Sequence, residues 1–369
     1  MSAIRVFLVD DTATVRHILT QILEEDADLV VVGTASDGRQ GLERLRRVET
    51  DLVVLDVEMP GMGGLEMLKE LRISDPELPV LVFSSITERG AMVTIEALSL
   101  GANDYVPKPA MVGSAAEARE YIKTSLIGKI KALVPRPRQA APQTPSIAEI
   151  SPAPRLSSHP SRVDMVVIGV SMGGPKALGE LIPALPADFP VPVLVVQHMP
   201  AVFTRALAKR LDDHSTLTVK ECDRAMLVKP GQVLLAAGDY HMSVEKHEDR
   251  VTAQPLHGEP VNFCRPAVDI LFASAARVYG RNVLAVVMTG MGQDGLEGCR
   301  QLAQVGAQII VQDQASSAVW GMAGSVARAD LAEIQLPLSQ LASEIQRRVY
   351  RGRQIPPGQP LSSTEGSPD

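Results

Sequence analysis

Two sets of polar residues in this sequence stand just after apolar runs, and each set could do chemistry. In the first, Asp10-Asp11 follow residues 4–9, Asp56 follows 52–55, Ser84 follows 79–83 and Lys108 follows 105–106. Carboxylates gathered in one place repel one another unless a cation joins them. A hard oxygen site with room for water suits Mg²⁺. Lys108 adds a fixed positive charge, so the set suits phosphoryl transfer to Asp56, with the metal and Lys108 neutralising developing charge. In the second set, Ser171 sits among glycines after residues 166–170, His198 follows 192–196, and Asp294 lies in a glycine-rich stretch after 283–288. A serine is a weak nucleophile until a base takes its proton, which a histidine does near neutral pH. An acid behind the histidine fixes its tautomer and stabilises the imidazolium. The backbone N–H groups of Met291 and Met172 are the candidate oxyanion donors, one such donor being worth about 3–4 kcal/mol of barrier.

Taken singly, each residue also has a plainer reading. Ser171 suits a helix cap, His198 a hydrogen-bonded structural role, and Asp294 the cap of a helix starting at Gly295. The acids and hydroxyls of the first set suit helix caps too. Convergence is what separates the readings, and convergence depends on the elements that carry these residues.

Those elements alternate. Apolar runs at 4–9, 29–32, 52–55, 79–83 and 105–106 are separated by helical periodicity, which predicts a doubly wound, five-stranded parallel sheet. In such a sheet ligands bind beyond the carboxyl ends of the strands, so Asp10, Asp11, Asp56, Ser84 and Lys108 should meet at one edge. Helical spacing continues through Leu133. Seven prolines among Ala, Ser and Gln then mark 135–161 as an extended tether. A second doubly wound α/β unit follows over 162–351. Its strands are expected at 166–170, 192–196, 283–288 and 307–311, with short strands around turns over 216–254, a helix carrying Phe203, Leu207 and Leu211 and another over roughly 266–279. Residues 352–369 read as a disordered tail. The expected division is 1–134, 135–161, 162–351 and 352–369.

Composition narrows the class. A net charge of −7, with pI near 5.6, argues against a nucleic-acid-binding face, and no basic recognition helix is found. No apolar run approaches membrane-spanning length and no cleavable signal pattern opens the chain, so a cytoplasmic protein without direct membrane insertion is expected. Cys222, Cys264 and Cys299 fit neither a disulfide framework nor a zinc site, and Cys264 has no convincing base motif nearby in sequence.

Residues 4–109 resemble a response-regulator receiver domain through Asp10-Asp11, Asp56 with Met59-Pro60-Gly61-Met62-Gly64, Ser84 and Lys108-Pro109. The resemblance implies Asp56 as phosphoacceptor and Asp10, Asp11 and Asp56 as metal ligands, helped by the Glu58 carbonyl. It also implies Ser84 as switch hydroxyl and Tyr105 as the aromatic that reorients with it.

Residues 163–350 resemble the catalytic domain of chemotaxis protein-glutamate methylesterases, the CheB family. The matching stretches are 168–174, 197–200, 238–242, 260–262, 265–269 and 289–295. This resemblance implies Ser171 as nucleophile, His198 as general base, Asp294 as orienting acid and the Met291 amide as oxyanion donor. Met172, Ala237 and Ala323 depart from the family's common residues without touching these positions. The implied activity is hydrolysis of glutamate γ-methyl esters on chemoreceptors, with deamidation of certain glutamines, switched on when a chemotaxis histidine kinase phosphorylates Asp56. Mg²⁺ serves phosphorylation, and ester hydrolysis needs no cofactor. Two competing readings are a receiver-linked serine esterase for another protein or a small-molecule ester, and a transcriptional regulator with an unusual output.

Overall fold

The computed structural model describes residues 3–109, 114–134, 162–351 and 353. The stretch 135–161, expected as a tether, and all of the expected tail except Arg353 lie outside the described residues.

The first domain alternates strand and helix: β1 (Ile4–Val9), α1 (Ala13–Glu24), β2 (Leu29–Ala35), α2 (Gly38–Leu45), β3 (Leu52–Leu55), α3 (Gly64–Ser74), β4 (Val80–Ser84), α4 (Glu88–Ser99), β5 (Asp104–Pro107) and α5 (Ala115–Leu133). The five strands are parallel in the order β2-β1-β3-β4-β5, as the alternation predicted. β1, β3 and β4 are buried almost throughout, so they read as continuous apolar runs.

The second domain opens with β6 (Met165–Val170), α6 (Gly174–Leu181), β7 (Val193–Gln197) and α7 (Ala201–His214). Then come β8 (Thr218–Cys222), β9 (Met226–Leu227), β10 (Gln232–Ala236), β11 (His241–His247) and β12 (Arg250–Leu256). It closes with α8 (Val268–Tyr279), β13 (Val283–Val287), α9 (Leu296–Gln304), β14 (Gln308–Gln312), α10 (Met322–Arg328), β15 (Ile334–Leu336) and α11 (Leu338–Tyr350). Its parallel sheet has seven strands in the order β15-β14-β13-β6-β7-β10-β8. The sequence pattern marked the four central strands. It did not show that β8 and β10 extend the same sheet, or that β15 edges it, because that placement depends on long-range pairing that no single short strand encodes. β11, β12 and β9 form a separate antiparallel sheet.

The order places the chemistry. Strand β6 lies between β13 and β7, and the chain winds away from it in both directions. A crevice opens where the winding reverses. Ser171 follows β6, His198 follows β7, and Asp294 lies in the loop after β13, so the three come from adjacent central strands. Aliphatic side chains from both faces of β6, β7 and β13 are fully buried and fix these strand ends.

Candidate active site

Ser171 is held by its backbone. Its N–H donates to the Thr289 carbonyl at 2.9 Å, and its own carbonyl accepts from Gly174 N–H at 2.8 Å and from Gln197 Nε2 at 2.9 Å. Gly173, at the N-terminus of α6, has φ +76°, a backbone state that side chains disfavour. At Gly290 a Cβ would come within 2.9 Å of the Ser171 Cβ, so the Gly290 backbone lies directly against Ser171. Thr289 Oγ1 donates to the Met172 carbonyl at 2.8 Å and completes the clamp. Among the described residues, the backbone N–H groups of Met172 and Met291 have no hydrogen-bond partner. They are free to receive an anionic oxygen.

His198 and Asp294 meet directly, with His198 Nε2 2.8 Å from Asp294 Oδ2. Asp294 is 2% exposed, yet its oxygens are well supplied with donors. Oδ2 accepts from Val268 N–H at 2.6 Å, and Oδ1 from Asn262 Nδ2 at 3.1 Å, Gly295 N–H at 3.0 Å and Asp269 N–H at 3.2 Å. Burial works against charge on Asp294, but His198 and these amides outweigh it and hold its carboxyl below the usual range. At His198 burial likewise opposes the charged form. The hydrogen bonds it donates to Asp294 and Cys264 prevail and raise its pKa to about 9.

The plainer reading of Asp294, as the cap of the helix after it, accounts for only part of its contacts. The carboxylate that spans the first turn of α9 belongs to Asp269, whose Oδ1 accepts from Gly295 N–H at 3.0 Å and Gly298 N–H at 2.7 Å. Asp294 in turn receives the first two N–H groups of α8. Each helix start is thus capped by an acid from the other, which pins Asp294 where His198 needs it. Asn262 Nδ2 bridges the pair, donating to Asp269 Oδ2 at 2.8 Å as well as to Asp294. Asn262 and Asp269 had appeared only as parts of matching stretches. Their roles depend on a contact between two helix ends some 25 residues apart, which no local pattern encodes.

Cys264 corrects the sequence reading more sharply. Its Sγ lies 3.5 Å from His198 Nδ1, so the thiol with no base motif in sequence stands against the candidate base in space. Both ring nitrogens of His198 are therefore engaged, Nε2 by Asp294 and Nδ1 by Cys264. Among the described residues, Ser171 Oγ makes no hydrogen bond to either. The remaining described histidines stay structural or exposed. His241, for instance, is buried with Nε2 on the Glu259 carbonyl at 2.9 Å and Nδ1 accepting from Ala267 N–H at 3.1 Å.

The acid set of the first domain converges as expected. Lys108 Nζ is 2.7 Å from Asp56 Oδ2 and 3.3 Å from Asp10 Oδ2, and both carboxylates are buried while Asp11 is exposed. One oxygen each from Asp10, Asp11 and Asp56 lie within 4.8 Å of one another. Burial raises the Asp10 pKa, with Lys108 opposing. At Lys108 burial opposes charge, but the two acids more than offset it. The Glu58 N–H donates to Asp56 Oδ1 at 3.0 Å, and the Glu58 side chain turns away to accept from Ser85 Oγ. Ser84 Oγ is turned toward α4, bonded to Thr94 Oγ1 and donating to the Gly90 carbonyl at 3.3 Å. Tyr105 is buried against the second domain, its ring 4.4 Å from that of Phe203 in α7.

That stack belongs to a seam between the domains. Helix α4 packs along α7 and α6, Arg210 Nε donates to Ser99 Oγ at 2.6 Å, and Arg205 approaches Glu88 at 4.0 Å. A cavity of about 250 Å³ lies along this seam, lined in part by Ser99, Lys176, Arg210 and His214, rather than at the Ser171–His198 crevice. Met172, beside Ser171, belongs to the apolar cluster that includes Leu126, Ile130 and Leu133 of α5. Packing therefore runs from the first domain to the residue next to the candidate nucleophile.

Two doubly wound domains, one with an acid–lysine pocket and the other with Ser, His and Asp on adjacent central strands, define a response regulator joined to an α/β output domain. Family models match both parts: the response regulator receiver domain over residues 6–118 and CheB methylesterase over 166–345. A protein-glutamate methylesterase/protein-glutamine glutaminase of Trichodesmium erythraeum is 45% identical, over 95% of this chain and all of the relative. One of Nocardioides sp. is 44% identical, over 96% of this chain and 97% of its own length. The chain belongs to the CheB methylesterase family.

Proposed function

We propose that this chain hydrolyses γ-methyl esters of glutamates on methyl-accepting chemotaxis receptors in the cytoplasm, releasing methanol, and deamidates certain receptor glutamines. The observation that carries the reading is the 2.8 Å contact of His198 with the buried Asp294, on the strands that flank the backbone-clamped turn of Ser171, with the Met172 and Met291 N–H groups unpartnered among the described residues. Ser171 Oγ attacks the ester carbonyl and its proton passes to His198. The oxyanion is held by the Met291 and Met172 N–H groups. The imidazolium then protonates the leaving methoxide, and an acyl-enzyme remains. Water, deprotonated by His198, releases the glutamate and frees Ser171. For a glutamine the leaving group is ammonia. The ring nitrogen turned away from Asp294 is Nδ1, and it must leave Cys264 to serve Ser171.

Asp56 is the proposed phosphoacceptor, charged by a chemotaxis histidine kinase. The oxygens of Asp10, Asp11 and Asp56, with the Glu58 carbonyl, fit a hard divalent ion such as Mg²⁺, and burial of Asp10 favours a cation there. That ion would neutralise charge on the transferring phosphoryl group. Lys108 binds the phosphoryl oxygens from the other side. Ser84 then swings from Thr94 toward the phosphate, and Tyr105 reorients, loosening its contact with Phe203. The seam opens and the crevice is uncovered. The proposed division is a receiver at 1–134, a tether at 135–161, a catalytic domain at 162–351 and a tail at 352–369. Arg353 donates to Asp164 at 2.8 Å and extends the catalytic domain's packed surface into that tail.

Methanol release from methylated receptor membranes tests this reading. His198→Ala is expected to lose release in step with Ser171→Ala, and wild-type rates in His198→Ala would exclude His198 as the base.

A further inference from the structure

The Cys264–His198 contact has a geometry that hydrolysis does not call for. A tetrahedral ion bound at about 2.3 Å to sulfur and 2.0–2.1 Å to an imidazole nitrogen holds those two atoms roughly 3.6 Å apart. Cys264 Sγ and His198 Nδ1 are 3.5 Å apart. Asp294 sits on the opposite ring nitrogen at 2.8 Å, the carboxylate–imidazole arrangement that commonly backs a metal-bound histidine. One ligand atom each from His198, Cys264 and Asp294 lie within 4.8 Å of one another. Cys264 is only half-buried, whereas Cys222 and Cys299 are fully buried, so an ion from solvent can reach this thiol.

We propose that Cys264 Sγ and His198 Nδ1 form a site for a thiophilic divalent cation of the Zn²⁺ class, and that a cation bound there switches the esterase off. Binding displaces the Cys264 thiol proton and the proton on His198 Nδ1 to solvent, and forms the metal–sulfur and metal–nitrogen bonds. The imidazole lone pair that would deprotonate Ser171 is donated to the metal instead. The two remaining positions of a tetrahedral ion are left to water, while Asp294 stays on the opposite ring nitrogen. Ligand softness sorts the two ion sites of the chain. The all-oxygen set at Asp10, Asp11 and Asp56 suits Mg²⁺, and the sulfur–nitrogen pair suits Zn²⁺ or Cd²⁺. The inhibitory half of the proposal rests on the reading of His198 as general base, while the binding half does not.

The test uses the metal-free full chain without phosphodonor, so that only basal methanol release is followed. Zn²⁺ is titrated against wild type, Cys264→Ser and Cys264→Ala, each normalised to its own metal-free rate. Wild type is expected to lose activity and regain it with chelator. Half-inhibition in both variants is expected to need at least about tenfold more Zn²⁺. In parallel, Cd²⁺ is expected to give a thiolate-to-metal ultraviolet band in wild type and in Ser171→Ala, absent from both Cys264 variants. Equal inhibition of all three proteins, or no Cys264-dependent band, overturns the site. A Cys264-dependent band with undiminished methanol release overturns the inhibitory role. Wild-type release by metal-free His198→Ala would instead overturn the base assignment and leave the binding result standing.

Discussion

His198 is where the chemistry of single residues is most exposed to test. Its pKa, raised to about 9, keeps the imidazole protonated through neutral pH in this conformation, and only the neutral form is a base. Basal methanol release is therefore expected to rise with pH and to level off above about 9. A pH–rate profile on the unphosphorylated protein checks it, and a plateau already reached near 6.5 would show that Asp294 does not hold the charge. The same pair bears on stability. A raised folded pKa stabilises fully below the ordinary 6.5, and the contribution is lost as pH climbs through about 9. Asp294→Asn is expected to move the limb down in pH while lowering the plateau, by on the order of 10⁴-fold if the tautomer is lost. Ser171, His198 and Asp294 were legible in the sequence because each ends or follows an apolar strand. Cys264 was not, since its neighbour His198 is 66 residues away and only the fold joins them.

At the scale of elements, the reciprocal capping of α8 and α9 is what turns strand order into a working angle between Asp294 and His198. Asp269→Ala removes the cap from the first turn of α9 and one anchor of Asn262. It should cost roughly 1 kcal/mol of stability, read as a shift in the urea midpoint. Methanol release should fall by more than that loss explains, because Asn262 would then hold Asp294 without its second tether. Unchanged release with lowered stability would make Asp269 a plain cap. The central strands were readable from the sequence because β6, β7 and β13 are buried on both faces and so appear as unbroken apolar runs. The edges were not. β8 exposes alternate residues and β15 is half-exposed, so their place in the same sheet depends on pairing with β10 and β14.

For the whole molecule, the proposal that Asp56 in one domain governs Ser171 in the other depends on the seam between them. The sequence announced both domains through their strand-end residues. It could not announce the seam, because Tyr105, Phe203, Ser99 and Arg210 come from segments about 100 residues apart and none carries a pattern of its own. Arg210→Ala removes one polar tie across that seam, worth about 0.5–1.5 kcal/mol. If the seam restrains the enzyme, the basal rate should rise roughly 2- to 10-fold and the phosphorylated rate should change little. An unchanged basal rate would mean that this contact does not gate the crevice.

The central claim is that Ser171 does the hydrolysis and Asp56 governs it. The most direct measurement is methanol release from methylated receptor membranes, with and without a small-molecule phosphodonor, by wild type, Ser171→Ala and Asp56→Asn. The account predicts no release by Ser171→Ala in either condition, and basal release without activation by Asp56→Asn. Release by Ser171→Ala at the wild-type rate, or full activation of Asp56→Asn by the phosphodonor, would contradict it.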